Sequence, residues 1–237
     1  MEMNNVFEKW RGGLIVSCQA PANSPLAKPE IIAAFAETAE QNGAVGVRID
    51  SPAHISAVKQ RVEIPVLGIY KVVSAESEVY ITPTFNDAAE IIRAGSDMIA
   101  LDATFRPRPH DEKLENIVEQ IRAQYKTPIM ADVARIEEAL NAAENLGVDV
   151  VSTTLSGYTK ETQTITEPDF ALIEKLAKRL TIPVICEGRL RSAADVKRAF
   201  DCGAFAVVVG GAITGVDILV QQFVRATPAD IKKFGYA

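Results

Sequence analysis

Two residues in this 237-residue sequence stand where a short apolar run ends on a side chain able to carry a proton. Lys71 directly follows PVLGIY (65–70), and Glu187 directly follows PVIC (183–186). A lysine with its ordinary pKa near 10.4 is protonated at neutral pH. To accept a proton it must be desolvated or held beside another cation, and Arg48, in AVGVRI, is a candidate for that charge. Three roles are open to Lys71: Schiff-base nucleophile, proton-transfer base, or exposed bystander. Glu187 belongs to a run too apolar to leave a carboxylate unpaired, so it requires a raised pKa or a cationic partner. Either makes it an acid/base candidate, with a structural ion pair to Arg189 or Arg48 as the alternative. Asp132, in IMADV, is suited to positioning the lysine or binding a substrate hydroxyl.

A second chemistry is anion binding. CEGR (186–189) and VGGAIT (209–214) place Gly188, Arg189, Gly210 and Gly211 after two β-rich runs. Glycines there let backbone N–H groups close around a phosphate, a short helix after the second run would add its positive end, and Arg189 would add a charged clamp. The plainer reading is that Gly210 and Gly211 only turn the chain.

The elements that must position these groups alternate in type. Eight β-rich apolar runs recur: GLIVSC (13–18), AVGVRI (44–49), PVLGIY (65–70), MIALDA (98–103), PIMADV (128–133), VVSTTL (150–155), PVICEG (183–188) and AVVVGG (206–211). Helical periodicity fills the intervals, from PEIIAAFAETAEQNG to the last helix, VDILVQQFVRA. Pro65, Pro128 and Pro183 stand at strand starts, where no ladder bond is lost. Continuous apolar strands alternating with helices imply a parallel sheet covered on its outside. Eight such units, with no GxGxxG after the first strand, predict a single (β/α)8 TIM barrel over residues 1–237, with a phosphate site after strands seven and eight. In that fold the strand ends ring one mouth: Ser17, Gln19, Arg48, Asp50, Lys71, Asp102, Thr104, Asp132, Thr153, Thr154, Glu187 and Arg189. Asp50, just before Ser51-Pro52, reads most simply as a solvated strand end or a helix N-cap. The stretch through Trp10 is expected to cap the barrel bottom, and the tail after Pro228 to be partly mobile.

Composition narrows the partners. The chain is 48% hydrophobic and 24% charged, with a formal net charge of −6. No dense basic run is present, which argues against nucleic acid but not against one phosphate in a local positive pocket. Cys18, Cys186 and Cys202 are widely spaced without CxxC, and His54 and His110 lie far apart, so neither disulfides nor a metal site is expected. The N-terminus lacks a signal pattern and the longest apolar runs are too short to span a bilayer, which makes the cytoplasm the expected location.

Taken together, GLIVSCQA (13–20), GAVGVRI (43–49), PVLGIYK (65–71), ITPT (81–84), ADV (131–133), STTLSGYT (152–159), EGR (187–189) and VVVGGAIT (207–214) resemble the bacterial N-acetylmannosamine-6-phosphate 2-epimerase family of sialic acid catabolism. The resemblance implies interconversion of N-acetylmannosamine 6-phosphate and N-acetylglucosamine 6-phosphate without metal or organic cofactor. It implies catalytic roles for Lys71 and Glu187 and substrate contacts from Gln19, Arg48, Asp132 and Arg189. The implied partner is a phosphorylated amino sugar, with a homodimer as the candidate assembly.

The chemistry suits those residues. The C2 hydrogen is acidic only in the open-chain aldehyde, and inversion takes a proton from one face and returns one to the other. Two acid/base groups across the barrel meet that need, with Arg48 stabilising charge on O1 of the enolate. Competing readings are a metal-dependent epimerase of the ribulose type, a Schiff-base aldolase using Lys71, and a non-catalytic sugar-phosphate sensor. Histidines at strand ends, a borohydride-trapped adduct, or binding without C2 exchange would respectively distinguish them.

Overall fold

A computed structural model describes residues 3–228; the tail after Pro228 lies outside the described residues. Eight strands, β1 (Leu14–Cys18), β2 (Gly46–Asp50), β3 (Val66–Ile69), β4 (Met98–Asp102), β5 (Ile129–Asp132), β6 (Val150–Ser152), β7 (Val184–Glu187) and β8 (Ala206–Val209), pair in parallel in chain order. β8 returns to β1, with Leu14 opposite Val207, and closes the barrel. Every strand falls inside one of the eight apolar runs or overlaps it by all but one residue. Pro65, Pro128 and Pro183 sit one residue before β3, β5 and β7, and their carbonyls accept from Val47, Ile99 and Val151 of the neighbouring strands. The prolines therefore join the ladder as acceptors although they cannot donate.

The covering helices are α2 (Pro29–Gln41), α3 (Pro52–Lys59), α4 (Phe85–Arg93), α5 (Leu114–Gln124), α6 (Ile136–Leu140, continued by a π-helical segment over Asn141–Asn145), α7 (Phe170–Arg179), α8 (Ala193–Asp201) and α9 (Val216–Arg225). An additional first helix, α1 (Met3–Trp10), precedes β1. Reciprocal capping boxes start α4 (Thr84 with Asp87) and α8 (Ser192 with Asp195), so orphan N–H groups are satisfied locally.

Two apolar layers follow from the two faces of each strand. Val47, Ile49, Leu101, Val151 and Val207 face outward onto the helices, whereas Ile15, Leu67, Met98, Met130, Ile185 and Val208 fill the barrel interior. Val6 and Trp10 of α1, 1% and 0% exposed, close that interior from below, as expected of the N-terminal stretch. The inward alternation continues upward by twos: Ile69 leads to Lys71, Met130 to Asp132, Ile185 to Glu187, and Ile15 to Ser17 and Gln19. The apolar floor and the polar mouth are thus one pattern.

Two connections depart from the sequence reading. β6 ends at Ser152, three residues before its apolar run does, because Thr153 and Thr154 hydrogen-bond through their hydroxyls and Leu155 turns back to the Val133 carbonyl. No short helix follows β8: residues 211–214 form a turn in which Ile213 and Thr214 donate to the Gly210 carbonyl.

Candidate active site

Lys71 stands just past β3, where the chain begins an excursion and returns antiparallel at Ile81. Val72 N–H donates to the Tyr80 carbonyl at 2.9 Å and Thr82 N–H to the Tyr70 carbonyl at 2.7 Å, so the lysine's backbone is clamped on both sides. Its Nζ donates to Gln19 Oε1 at 2.5 Å, and Gln19 Nε2 in turn donates to Ser17 Oγ at 2.7 Å. The Lys71 N–H donates to Asp50 Oδ1 at 2.8 Å. This corrects the expected capping role of Asp50: Ser51 is the N-cap of α3, without a side-chain cap bond, and Asp50 reaches across to β3 instead.

Opposite, a buried ionic cluster joins β2, β5 and β7. Arg48 pairs with Asp132 through two contacts, Nη2–Oδ2 at 2.6 Å and Nη1–Oδ1 at 3.2 Å, and Nη1 also donates to Glu187 Oε2 at 2.8 Å. The Thr154 hydroxyl lies 2.6 Å from Asp132 Oδ1 and 3.1 Å from Glu187 Oε2. The cationic partner required for Glu187 is therefore Arg48, whose guanidinium has little room for anything else: its side chain is 1% exposed.

Electrostatics follow from this enclosure. Burial pushes Glu187 up to about 7; Arg48 opposes the rise and Asp132 adds to it. Only 13% of the Glu187 side chain reaches solvent, at the open end of the cluster. Burial disfavours the charged form of Arg48, but the Asp132 and Glu187 carboxylates more than offset that and raise its pKa. Lys71 is lowered, first by loss of hydration at the rim and then by Arg48, against the raising effects of Asp50, Glu187 and Asp132. Its side chain is still exposed on the open side of the mouth, so this desolvation is partial.

The glycine-rich ends of β7 and β8 lie side by side, since Glu187 pairs with Val208. Gly188 takes φ 113° and Arg189 φ 58°, so the chain breaks from strand geometry at the mouth. Among the described residues, the N–H groups of Gly211 and Ala212 have no acceptor. A side chain at Gly210 would place its Cβ 3.1 Å from Ser17 Cβ, which explains the glycine by close approach to β1. Arg189 turns away from Glu187: it donates to the Ser156 and Gly157 carbonyls at 2.5 and 2.9 Å and stacks 4.1 Å from the Tyr158 ring centroid.

Sequence reasoning missed Arg106 and Tyr80. Arg106 donates to Asp102 Oδ2 at 2.6 Å and Thr104 Oγ1 at 2.9 Å, and with Tyr80 and Tyr158 it lines an open cavity of about 480 Å³ at one side of the mouth. The signal for Arg106 was the FRPRP run just after the polar end of β4; Tyr80 had none, because only the folded-back segment brings it there.

Comparison with known proteins gives this barrel its relatives. The family described as NanE, "Putative N-acetylmannosamine-6-phosphate epimerase", matches residues 32–229. The chain belongs to this epimerase family. A relative from Synechococcus elongatus is 48% identical over 231 residues, covering 97% of this chain and 99% of its own. One from Clostridioides difficile is 44% identical over 221 residues, covering 93% and 98%. Both carry the corresponding 2-epimerase description. Among solved structures, the N-acetylmannosamine-6-phosphate 2-epimerase from Clostridium perfringens superposes with a TM-score of 0.90 at 40% identity, covering 96% of this epimerase-family chain and 98% of its own. A FabK mutant from Thermotoga maritima, at 17% identity and a TM-score of 0.60, covers 89% of this chain and 64% of its own and shares the barrel alone.

Proposed function

We propose that this chain interconverts N-acetylmannosamine 6-phosphate and N-acetylglucosamine 6-phosphate by exchanging the proton at C2. The observation that carries the reading is the pairing of Lys71 and Glu187. They are the inward-facing groups at the ends of β3 and β7, across one barrel mouth, with pKa values moved toward each other: the lysine down, the carboxyl up to about 7.

In one direction neutral Lys71 takes the C2 proton of the open-chain aldehyde while protonated Glu187 delivers to the other face; in the reverse direction the roles exchange. The electron pair left by the proton moves onto O1 as an enolate and returns to C2 with the second proton. No oxidant, reductant or group carrier is needed for that balance, so we assign no cofactor and no metal. Arg48, enclosed by Asp132 and Glu187, acts through its positive field in a water-poor site, holding Glu187 in place and favouring charge on O1. Gln19 orients the Lys71 amine and offers its amide to the substrate, whereas Asp132, fully buried on Arg48 and Thr154, acts on the substrate only through Arg48 and Glu187.

The substrate phosphate is assigned to Gly188, Arg189, Gly210 and Gly211, supported by the free N–H groups of the turn after β8. The active unit is assigned as a homodimer in the cytoplasm. Among the described residues α9 has none buried, yet Val216, Val220, Phe223 and Val224 recur at helical spacing and are 42–76% exposed, a face suited to a second copy.

Incubation with N-acetylmannosamine 6-phosphate in deuterium oxide, followed by NMR, tests the reaction. Deuterium at C2 of the glucosamine isomer is expected, and Lys71→Ala and Glu187→Gln should each lower the rate by at least about a hundredfold. Absence of both product and incorporation, or near-full activity of both variants, ends this reading.

A further inference from the structure

We infer that Asp50 is the positioning residue of Lys71, fixing its backbone where the chain leaves β3 and setting a carboxylate beside it. The inference deepens the proposed function and rests on Lys71 acting as a base there. Asp50 ends β2, next to the strand that carries Lys71, and its Oδ1 accepts the Lys71 N–H at 2.8 Å. That bond starts the lysine on its course out of the barrel, since the next N–H, of Val72, is taken by Tyr80.

Asp50 is itself held firmly. Its carbonyl lies 2.9 Å from His54 Nδ1, and the following residue, Ser51, is kept at φ 75° with its N–H on the Ile69 carbonyl. A non-glycine residue in that region costs conformational energy and persists only where the surroundings impose it. The strain falls on the residue directly after Asp50, where β2 gives way to α3.

The charges around the pair define what Asp50 does. Facing Lys71 are Asp50 and Arg48 from β2, Asp132 from β5 and Glu187 from β7, with neutral Gln19 on its Nζ. Among them Asp50 has the largest charge effect, and it raises the lysine where Arg48 lowers it. Facing Asp50 are Lys71, His54 and Arg48, and burial holds its own carboxyl above the ordinary value. Asp132 and Glu187 are already committed to Arg48. Among the described residues Asp50 has no such ion pair, and is the carboxylate left beside Lys71.

The substitution Asp50→Asn separates position from charge, because its amide oxygen still accepts the Lys71 N–H. NMR of the full-length protein carrying ¹³C-labelled lysine, with the Lys71 signal assigned by its loss in Lys71→Arg, follows the titration directly. We expect Asp50→Asn to lower the Lys71 midpoint by on the order of one pH unit. The basic limb of the kcat/KM profile should move down with it while the acidic limb stays. Asp50→Ser, too short to hold the N–H, should lower kcat by on the order of tenfold with a smaller change in KM. Circular dichroism shows whether each variant is folded, and the two substitutions are scored separately. An unshifted Lys71 midpoint in folded Asp50→Asn, or wild-type kcat in folded Asp50→Ser, overturns the inference. An active Lys71→Ala instead overturns the reading of Lys71 as the base, and leaves the NMR result intact.

Discussion

Arg48 and Asp132 meet as a two-pronged ion pair inside the barrel, at 2.6 and 3.2 Å, with side chains 1% and 0% exposed. Such a pair is a weak source of net stability, because both charges lose their water. Its consequence is positional: with Nη2 spent on Asp132, Nη1 is aimed at Glu187, and the acid of the proposed mechanism inherits a fixed orientation.

Asp132→Asn should therefore do two separable things. Leaving Arg48 buried with one carboxylate fewer is expected to destabilise the fold by about 3–5 kcal/mol, read from urea unfolding. Asp132 also raises the Glu187 pKa, so its neutralisation should move the acidic limb of the activity profile down from the wild-type position. A stability loss without that movement would separate Asp132 from the titration of Glu187.

The pH profile itself has a determined shape. In either direction the working state holds one proton between Lys71 and Glu187: neutral amine with carboxylic acid, or ammonium with carboxylate. Activity should fall below about pH 7, as Glu187 takes up the second proton. It should fall again at high pH as Lys71 loses the last one, at a value below that of an ordinary lysine. These limbs belong to the coupled pair. Steady-state kcat/KM across pH checks them, and a profile with no decline on the acidic side would contradict the role of Glu187.

Much of the fold is legible in the sequence. The eight strands can be read because each is built on a short β-rich apolar run, and the polar residue that ends or follows three of them marks Lys71, Asp132 and Glu187. Contacts between distant segments were not legible. Asp50 reads as a cap because local rules see only Ser51-Pro52, whereas its partner lies 21 residues on. The place of Arg189 just past β7 follows from its run, but its direction depends on the positive φ angles of residues 188 and 189, which send it to the 156–157 carbonyls. The apolar stripe of α9 has the spacing of an ordinary barrel-facing helix, and periodicity cannot say what covers it.

That stripe gives a prediction about assembly. Phe223 is 76% exposed on α9, and Phe223→Glu places a charge at the centre of the apolar face without touching the barrel mouth. Light scattering on a sizing column should show a dimer for the wild type and a shift toward monomer for the variant. A wild-type protein that runs as a monomer at all concentrations would remove the dimer assignment.

The closed end of the barrel gives the last. Trp10 is fully buried among Ile15, Leu67 and their neighbours, and Gly46 leaves it room: a Cβ there would lie 2.4 Å from the indole nitrogen. The indole N–H has no partner among the described residues, so Trp10 contributes packing volume and not a hydrogen bond. Trp10→Ala should cost about 3–5 kcal/mol by opening a cavity beneath the barrel. Trp10→Phe keeps most of the volume and removes the unpaired donor, so it should cost clearly less, despite losing the only tryptophan in the chain. Because Trp10 packs at the opposite end from Lys71 and Glu187, the folded fraction of both variants should keep the wild-type kcat, as judged by activity normalised to folded protein from circular dichroism. Equal destabilisation by the two substitutions would show that the indole N–H has a stabilising partner after all.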